Sequence, residues 1–573
     1  MGAGPETRIE LRCAQQVTIL GSHDRRHTIS VLLSLCFRAQ GFFHSHALKS
    51  SGTLSMDESR HKKSDHTSSK KRRTIMANDL PMGATDTLRE QVRAWLHDID
   101  APVPPLGNKS KHIRDPLHGS VVLSPHEVRL IDTLLLQRLR GIHQLGLAYL
   151  TFPSARHSRF EHALGVRFVA EQMLDRLADA QRGYSDTHRA TVLAAALLHD
   201  VGHGVFSHAT EDIIGSTPIF AEQFDSTVGA LHEQIGALLI QEEPLSHCLT
   251  DAGIDPRAVA ALLTHDVATL VSLGVPTELW GIISGPLDAD KLDYFARDSY
   301  FSGVASAVDP ERILRMLTIG PNDELAITLA GASALDQMLF DRVRMYSDLY
   351  GHQKILAAEA MVRGIVETMQ QRGSHGRHRQ LYVRGRDGRS VSISLSRVTD
   401  FLRMSDEAFL ATPTDSTTVA DLQNRLLRRE LLRPAYTLTF EAVRGMNEAT
   451  YLQGLHRLRT PASLSQLRRE IQLHHPDIQP ADIWVLAARC PSMHGVETSV
   501  IGRNGRRVQM GTIFEGWDTT DASGIPTHTV QRHFELFRAK LFVFCPPHAA
   551  DAVGVTARAV LAAEWATQPG ELV

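Results

Sequence analysis

Between Asp86 and Arg372, apolar residues recur at the i, i+3, i+4 spacing that lays one stripe along an α-helix. The segments "DTLREQVRAWLHDI", "SPHEVRLIDTLLLQRLRGIHQLG", "EHALGVRFVAEQMLDRLADAQ", "HRATVLAAALLHD", "HEQIGALLIQE" and "ALDQMLFDRVRMYSDLYGHQKILAAEAMVRGIVETMQQ" each predict a helix, and the loop "APVPPLGNKS" ends the first. Near Asp323 a short "ELAITL" breaks the run and predicts a small hairpin. The expected fold is mainly α, with a helical core over residues 86–372.

From Gly373 to about Thr460 charged helices mix with loops, and from Asp482 the pattern becomes β-rich. "IWVLAAR", "VETSVIG", "RRVQMG" and "KLFVFCP" predict strands, so residues 373–573 read as a smaller C-terminal helical and α+β lobe. Residues 1–85 carry no helical or strand period, and "SSGTLSMDESRHKKSDHTSSKKRRT" predicts disorder. Its "KKRR" fits a solvated tail better than a nucleic-acid contact. Met76 and Met82 each precede more ordinary sequence, as alternative starts would. No repeat at solenoid period is present.

Composition narrows the classes. With 61 Lys+Arg against 64 Asp+Glu and a net charge of -3, there is no bulk electrostatic case for nucleic acid or membrane, so any anion site must be local. Five scattered cysteines (Cys13, Cys36, Cys248, Cys490, Cys545) form no CxxC and predict free thiols in a reducing compartment, with the cytoplasm as the expected location. "ISVLLSLCF" is too short to span a bilayer.

The candidate chemistry sits at "TVLAAALLHDVGHGVFSHATE", where an apolar helix runs into His199, Asp200, His203 and His208. A metal site needs imidazoles and carboxylates converging from several elements, and His162, the adjacent His199-Asp200 and Asp290 are the candidates. At a helix end neighbouring His and Asp can bracket one ion; Gly202 and Gly204 end the helix and are expected to let backbone approach a ligand. His203 and His208 then lie just outside, placed to bond phosphate oxygen or move a proton. Any single one of the 30 histidines is better read as an ordinary core or surface residue; four in Gly-broken helices favour a metal site.

In "LDADKLDYFARD", Asp290, Tyr294 and Asp298 recur at i, i+4, i+8 beside Lys291, and Leu292 and Phe295 supply the apolar side. Such a face can hold metal and phosphate together, although a solvated charged face has the same spacing. Arg159, Lys291 and Arg342 are cations suited to a polyphosphate. No P-loop, GxSxG elbow or kinase signature is present.

Together "DPLHGSVVL", "IDTLLLQRLRGIHQLG", "FPSARHSRFEHALGV", "LLHDVGHGVFSHATE", "HEQIG" and "LDADKLDYFARD" resemble the HD-domain phosphohydrolases. Within them the likeness is to the deoxynucleoside triphosphate triphosphohydrolases typified by the sterile-alpha-motif and HD-domain enzyme and its bacterial relatives. It covers roughly Lys109 to Lys354, and no sterile-alpha-motif domain is recognisable ahead of it. The resemblance implies one divalent metal (Fe, Zn, Mn or Mg) held by His162, His199, Asp200 and Asp290, with a further Mg accompanying the triphosphate as an option. It implies attack of water on the α-phosphorus of a dNTP, releasing deoxynucleoside and triphosphate. His203 and His232 would contact phosphate, His208 would protonate the leaving 5′ oxygen assisted by Glu211, and Arg159, Lys291, Tyr294 and Arg342 would bind triphosphate. Gln144, Leu145 and Asp298 would face the sugar, with Tyr350 where a 2′ hydroxyl would clash.

Tyr346 and Gly351 depart from the vertebrate pattern near the base, which leaves base preference open. A GTP or dGTP activator between subunits of a homo-oligomer, a dimer or tetramer, would meet Lys111, Asp132, Gln137 and Arg140; ordinary surface ion pairing explains those four equally well. Two other readings share the motifs: an HD phosphodiesterase or nuclease, and a nucleotide-sensing or nucleic-acid-binding protein with a vestigial site. Lys291, Tyr294 and Arg342 separate the first from a triphosphohydrolase, since a triphosphate needs more cations than a diester.

Overall fold

Short polar side chains set the helix starts. Ser124 closes a capping box with Glu127, accepting from its backbone N–H while the Glu127 carboxylate accepts from Ser124 N at 2.8 Å. Ser185 and Asp288 cap two later helices through their side-chain oxygens. The structure, a computed structural model, describes residues 84–179, 183–220, 222–225, 229–371, 379–384, 390–442, 448–488, 498–507 and 540–564. The predicted disorder of 1–85, with its "KKRR", lies outside these apart from Ala84 and Thr85, which open the first helix.

Helix α1 (Ala84–Ile99) leads to an antiparallel hairpin of β1 (Lys111–Asp115) and β2 (Gly119–Leu123), paired from Lys111↔Leu123 to Asp115↔Gly119. Next come α2 (Pro125–Ile131) and α3 (Leu134–Gln137). The continuous helix predicted over this stretch is broken, because Thr133 accepts from Leu136 N as a new N-cap and the chain then closes in 3₁₀ turns at Arg138–Gly141 and Gly146–Leu150.

The site is framed by α4 (Arg159–Asp179), α5 (Asp186–Leu198), α6 (His208–Ser216), α7 (Leu231–Ile240), α8 (Pro256–Thr264) and α9 (Ala289–Ser302). Thr191 to Leu198 of α5 are all buried, with α4 on one side and α8 near its other flank, so α5 is the central post. The predicted hairpin forms from β3 (Leu317–Ile319) and β4 (Leu325–Thr328). The long helix predicted after it divides into α10 (Ala332–Met345), one π turn at Tyr346–Tyr350, and α11 (Gln353–Gln370). A π turn of this kind often marks a functional position.

Beyond α11 the expected helices and loops include a further hairpin, β5 (Leu381–Arg384) with β6 (Ser390–Ile393), then α12 (Asp406–Ala411) and α13 (Thr417–Arg428). Strands β7 (Arg433–Leu438), β8 (Trp484–Ala487) and β10 (Leu541–Cys545) make a sheet of order β7-β10-β8, while β9 (Ser499–Ile501) adds in parallel to β4 through Ala326↔Ser499. Most of the predicted "RRVQMG" strand lies outside the described residues. One apolar core runs from Leu88 past Leu432, and a second gathers Tyr436, Tyr451, Ile471, Val543 and Leu561 under α14 (Pro461–Leu473) and α15 (Ala550–Glu564). Cys248 and Cys545 are free and buried, and the other three cysteines lie outside the described residues. No helix among the described residues is long and apolar enough to cross a membrane.

Candidate active site

Three elements bring the expected ligand set together. His162 lies one turn into α4, His199 caps the C-terminus of α5 with Asp200 next, and Asp290 sits in the first turn of α9. His162 Nε2 is 3.3 Å from His199 Nε2 and 2.8 Å from Asp290 Oδ1, while Asp200 stands 3.4 Å from His199 Nε2 and 3.8 Å from His162 Nε2. The far nitrogens fix the tautomers. His199 Nδ1 donates to the Ala196 carbonyl at 2.9 Å and His162 Nδ1 to Asp293 Oδ2 at 2.8 Å, which turns both Nε2 lone pairs inward against a carboxylate.

Converging lone pairs of this kind require a proton or a cation. Burial lowers the pKa of His162, but Asp290 and Asp293 outweigh it and hold the ring protonated up to about 10. Burial likewise pushes the Asp290 carboxyl up, and the His162 contact outweighs that and holds it well below the usual carboxylate range. His162, His199 and Asp290 bring two imidazole nitrogens and a carboxylate oxygen close enough to hold one cation, with Asp200 3.4 Å from His199 Nε2 at their side, and such nitrogen and oxygen donors fit a divalent metal.

Behind His162 lies a buried network that sequence reasoning missed. Asp293 also meets His118 Nε2 at 2.6 Å and accepts from Arg297, whose Nη1 reaches Asp115 Oδ2 at 2.9 Å. Gly165 explains itself here: a Cβ would fall 2.0 Å from Asp293 Oδ1. The i, i+4 pair Asp293/Arg297 was the available signal, and it reads equally well as a surface ion pair until the fold buries it.

The second cluster faces the first across Asp200. His203 Nε2 is 3.3 Å from Asp200 Oδ1, His203 stacks on His232 with centroids 3.9 Å apart, and Glu211 accepts from His232 Nδ1 at 2.7 Å and from His208 Nδ1 at 2.9 Å. His208 is the exposed member. Burial drives His203 well below the ordinary histidine value, with Arg159 and His232 adding to it. Burial opposes protonation of His232 too, yet Glu211 outweighs it and raises the ring to about 9.

Local backbone explains the placement. Phe206 and Ser207 both have φ of 55°, a strained conformation for side-chain-bearing residues that turns the chain into α6 and presents His208. Gly202 and Gly204 do not open the backbone to a ligand as expected; a Cβ at Gly202 would fall 2.0 Å from the His232 carbonyl and one at Gly204 2.9 Å from that of Phe401. They admit neighbouring chain. Arg138, also missed, donates to the carbonyls of His203 and Val201, and burial lowers it to about 10.

The residues expected to meet a nucleotide are brought together in part. Arg159 Nη1 meets Asp200 Oδ2 at 2.6 Å, its Nε donates to Ser207 Oγ, and its buried Nη2 has no hydrogen-bond partner among the described residues. Arg342 reaches Tyr294 Oη at 3.4 Å, and Tyr350 donates to Asp298 Oδ2 at 2.7 Å. His157, not picked out from sequence, approaches Asp298 Oδ1 at 2.8 Å and stacks on Phe301. Lys291 is turned to Asp288 and the Gly285 carbonyl. Gln144 is buried beside half-buried Leu145, in a turn that follows the single bridge between His143 and Ser158, and Gln144 N donates to the His157 carbonyl. Of the four residues read for an activator, Lys111 pairs with Asp132 at 2.9 Å and Arg140 Nε donates to Gln137 Oε1 at 2.9 Å, both pairs exposed in part.

The HD-domain profile matches residues 159–266, which contain three of the four expected ligands and the whole second cluster. The protein YwfO of Bacillus subtilis, uncharacterized, is 33% identical over 272 residues, 47% of this chain and 58% of its own. Human deoxynucleoside triphosphate triphosphohydrolase SAMHD1 is 28% identical over 327 residues, 52% of this chain and 50% of its own. A crystal structure of a phosphohydrolase from Bacteroides thetaiotaomicron superposes with a TM-score of 0.55 at 20% identity, covering 76% of this chain and 99% of that one. The chain spans about half the length of the curated relatives it matches. It carries an HD domain at residues 159–266 and shares the fold of the Bacteroides phosphohydrolase. Its relatives include the SAMHD1 triphosphohydrolases of human, cattle and Dictyostelium.

Proposed function

We propose that the protein is a metal-dependent dNTP triphosphohydrolase that cleaves dNTP and water to deoxynucleoside and intact triphosphate. The observation that carries this reading is the shared carboxylate Asp200. Its Oδ1 lies 3.4 Å from His199 Nε2 in the ligand cluster and 3.3 Å from His203 Nε2 in the proton-transfer cluster, so a phosphate between them meets both. A divalent cation bound by His162, His199, Asp200 and Asp290 would activate water and offset charge at phosphorus. Neutral His203 and charged His232 bond the phosphate oxygens. His208, oriented by Glu211, gives its proton to the 5′ oxygen as the P–O bond breaks.

The orphaned Nη2 of Arg159, the Arg342–Tyr294 pair and Lys291 supply triphosphate contacts, Lys291 exchanging Asp288 for phosphate. Asp298, held by His157 and Tyr350, is left to face a 3′ hydroxyl, with Tyr350 excluding a 2′ hydroxyl. A guanine nucleotide at Lys111, Asp132, Gln137 and Arg140, between copies of a homo-oligomer, is the proposed activator. The activity for which the relative SAMHD1 is named supports the substrate class, and the number of cations at the site favours a triphosphate over a diester. The test is Lys291→Ala and Arg342→Ala with a dNTP and with bis(p-nitrophenyl) phosphate as substrates. Loss of dNTP turnover by about 100-fold with the diester little changed supports the triphosphate reading. Equal loss on both, or no loss, favours another phosphoester.

A further inference from the structure

Asp406 stands far along the chain from the HD domain, outside residues 159–266 and beyond the span of the family motifs, yet its buried carboxylate binds two segments that flank the site. Oδ2 accepts from the backbone N–H of His143 and meets His143 Nδ1, both at 2.9 Å, and Oδ1 accepts from the backbone N–H of Phe206 at 2.7 Å. These contacts span 263 and 200 residues of sequence. One carboxylate therefore ties together two backbone arms. The first runs through His143 into Gln144 and Leu145. The second is the left-handed turn Phe206–Ser207 from which His208 projects.

The arms also hold each other. Ser207 Oγ donates to the His143 carbonyl at 2.7 Å, and a Cβ on Gly146 would fall 2.9 Å from the Phe206 carbonyl. Asp406 itself is fixed from behind. Ser405 caps α12 and lies so close to Gly141 that a Cβ there would be 2.5 Å from its own, and Phe409 packs edge-on against Phe206. Strained φ values persist only where the surroundings over-determine them, and here the Asp406 bond to Phe206 N is the charged part of that constraint.

We infer that Asp406 is a positioning residue for the hydrolytic site, setting the distance between the nucleoside-facing turn at Gln144–Leu145 and His208 without touching substrate or metal ligands. The inference rests on the proposed function for the roles of the two arms. It does not rest on it for the anchoring itself.

Asp406→Asn is the discriminating variant. Its single oxygen is expected to face the two His143 donors, which sets the amide nitrogen against the Phe206 N–H, donor against donor. The measurements are kcat and KM on the preferred dNTP, bound-metal stoichiometry, and hydrogen exchange of the full-length metal-loaded protein. The expected result is kcat down about 10- to 100-fold with KM within about threefold, metal content unchanged, and faster exchange at 205–208 but not within 162–179. Asp406→Ala strands both arms and should raise KM as well. Unchanged kcat in Asp406→Asn despite faster exchange at 205–208, or unchanged exchange in both variants, overturns the inference. If the unaltered protein cleaves neither dNTP nor bis(p-nitrophenyl) phosphate, the proposed function fails, while the exchange data still decide the anchoring.

Discussion

His203 and His232 stack almost parallel, 16° between planes and 3.9 Å between centroids, yet one is held neutral and the other charged. Burial beside Arg159 keeps the proton off His203, while Glu211 keeps it on His232 to about pH 9. Stacked rings cannot both be charged at small cost, so the carboxylate chooses which one donates as a cation.

The first prediction follows from that asymmetry. The folded pKa of His232, about 9, lies above its ordinary 6.5, so the stabilisation it brings is fully present below pH 6.5 and is lost as pH rises through 9. Glu211→Gln should therefore destabilise the fold by on the order of 3 kcal/mol at pH 6.5 and by much less at pH 9.5. Denaturant titrations at the two pH values check this, and a penalty that does not change with pH would count against it.

Asp293 should tune the metal centre from behind. Asp293→Asn weakens the acceptor for His162 Nδ1 and removes the countercharge of Arg297, so metal affinity should fall about 10- to 100-fold. Competition with a chelator reads the affinity directly. Asp293→Ala, which leaves Arg297 with Asp115 alone, should also cost about 3–5 kcal/mol in stability.

Gly202→Ala should be disruptive because the new Cβ would meet the His232 carbonyl at 2.0 Å, and backbone cannot step aside as a flexible side chain can. The expected loss is about 1–3 kcal/mol with turnover reduced further, since His232 must move. Gly183→Ala, with nothing within 4 Å, is the matched control and should be neutral or stabilising by about 0.5 kcal/mol. Comparable thermal midpoints for the two variants would contradict the close packing.

What the chain displayed in one dimension was its local physics. The 3.6 period of α4, α5, α7 and α9, the β3–β4 hairpin and the ligand-bearing helix ends were legible because each is written within a few turns. The break at Thr133 was not, because Thr133 serves as N-cap inside an apolar period that runs across it. The π turn at Tyr346–Tyr350 was hidden for a related reason: one extra residue hardly disturbs the stripe. Asp115, His118, His157 and Asp406 escaped because their roles arise from contacts across 141 to 263 residues, and a polar residue's own neighbours do not reveal a partner that distant.

The most direct measurement is ion-exchange analysis of the products after metal-loaded protein meets each dNTP, with and without GTP, beside Asp200→Ala. Deoxynucleoside and intact triphosphate in equal amounts, absent from the Asp200→Ala reaction, are predicted, with GTP raising the rate through the Lys111–Asp132 region. Pyrophosphate or orthophosphate as the first product, or equal turnover by Asp200→Ala, would contradict the account.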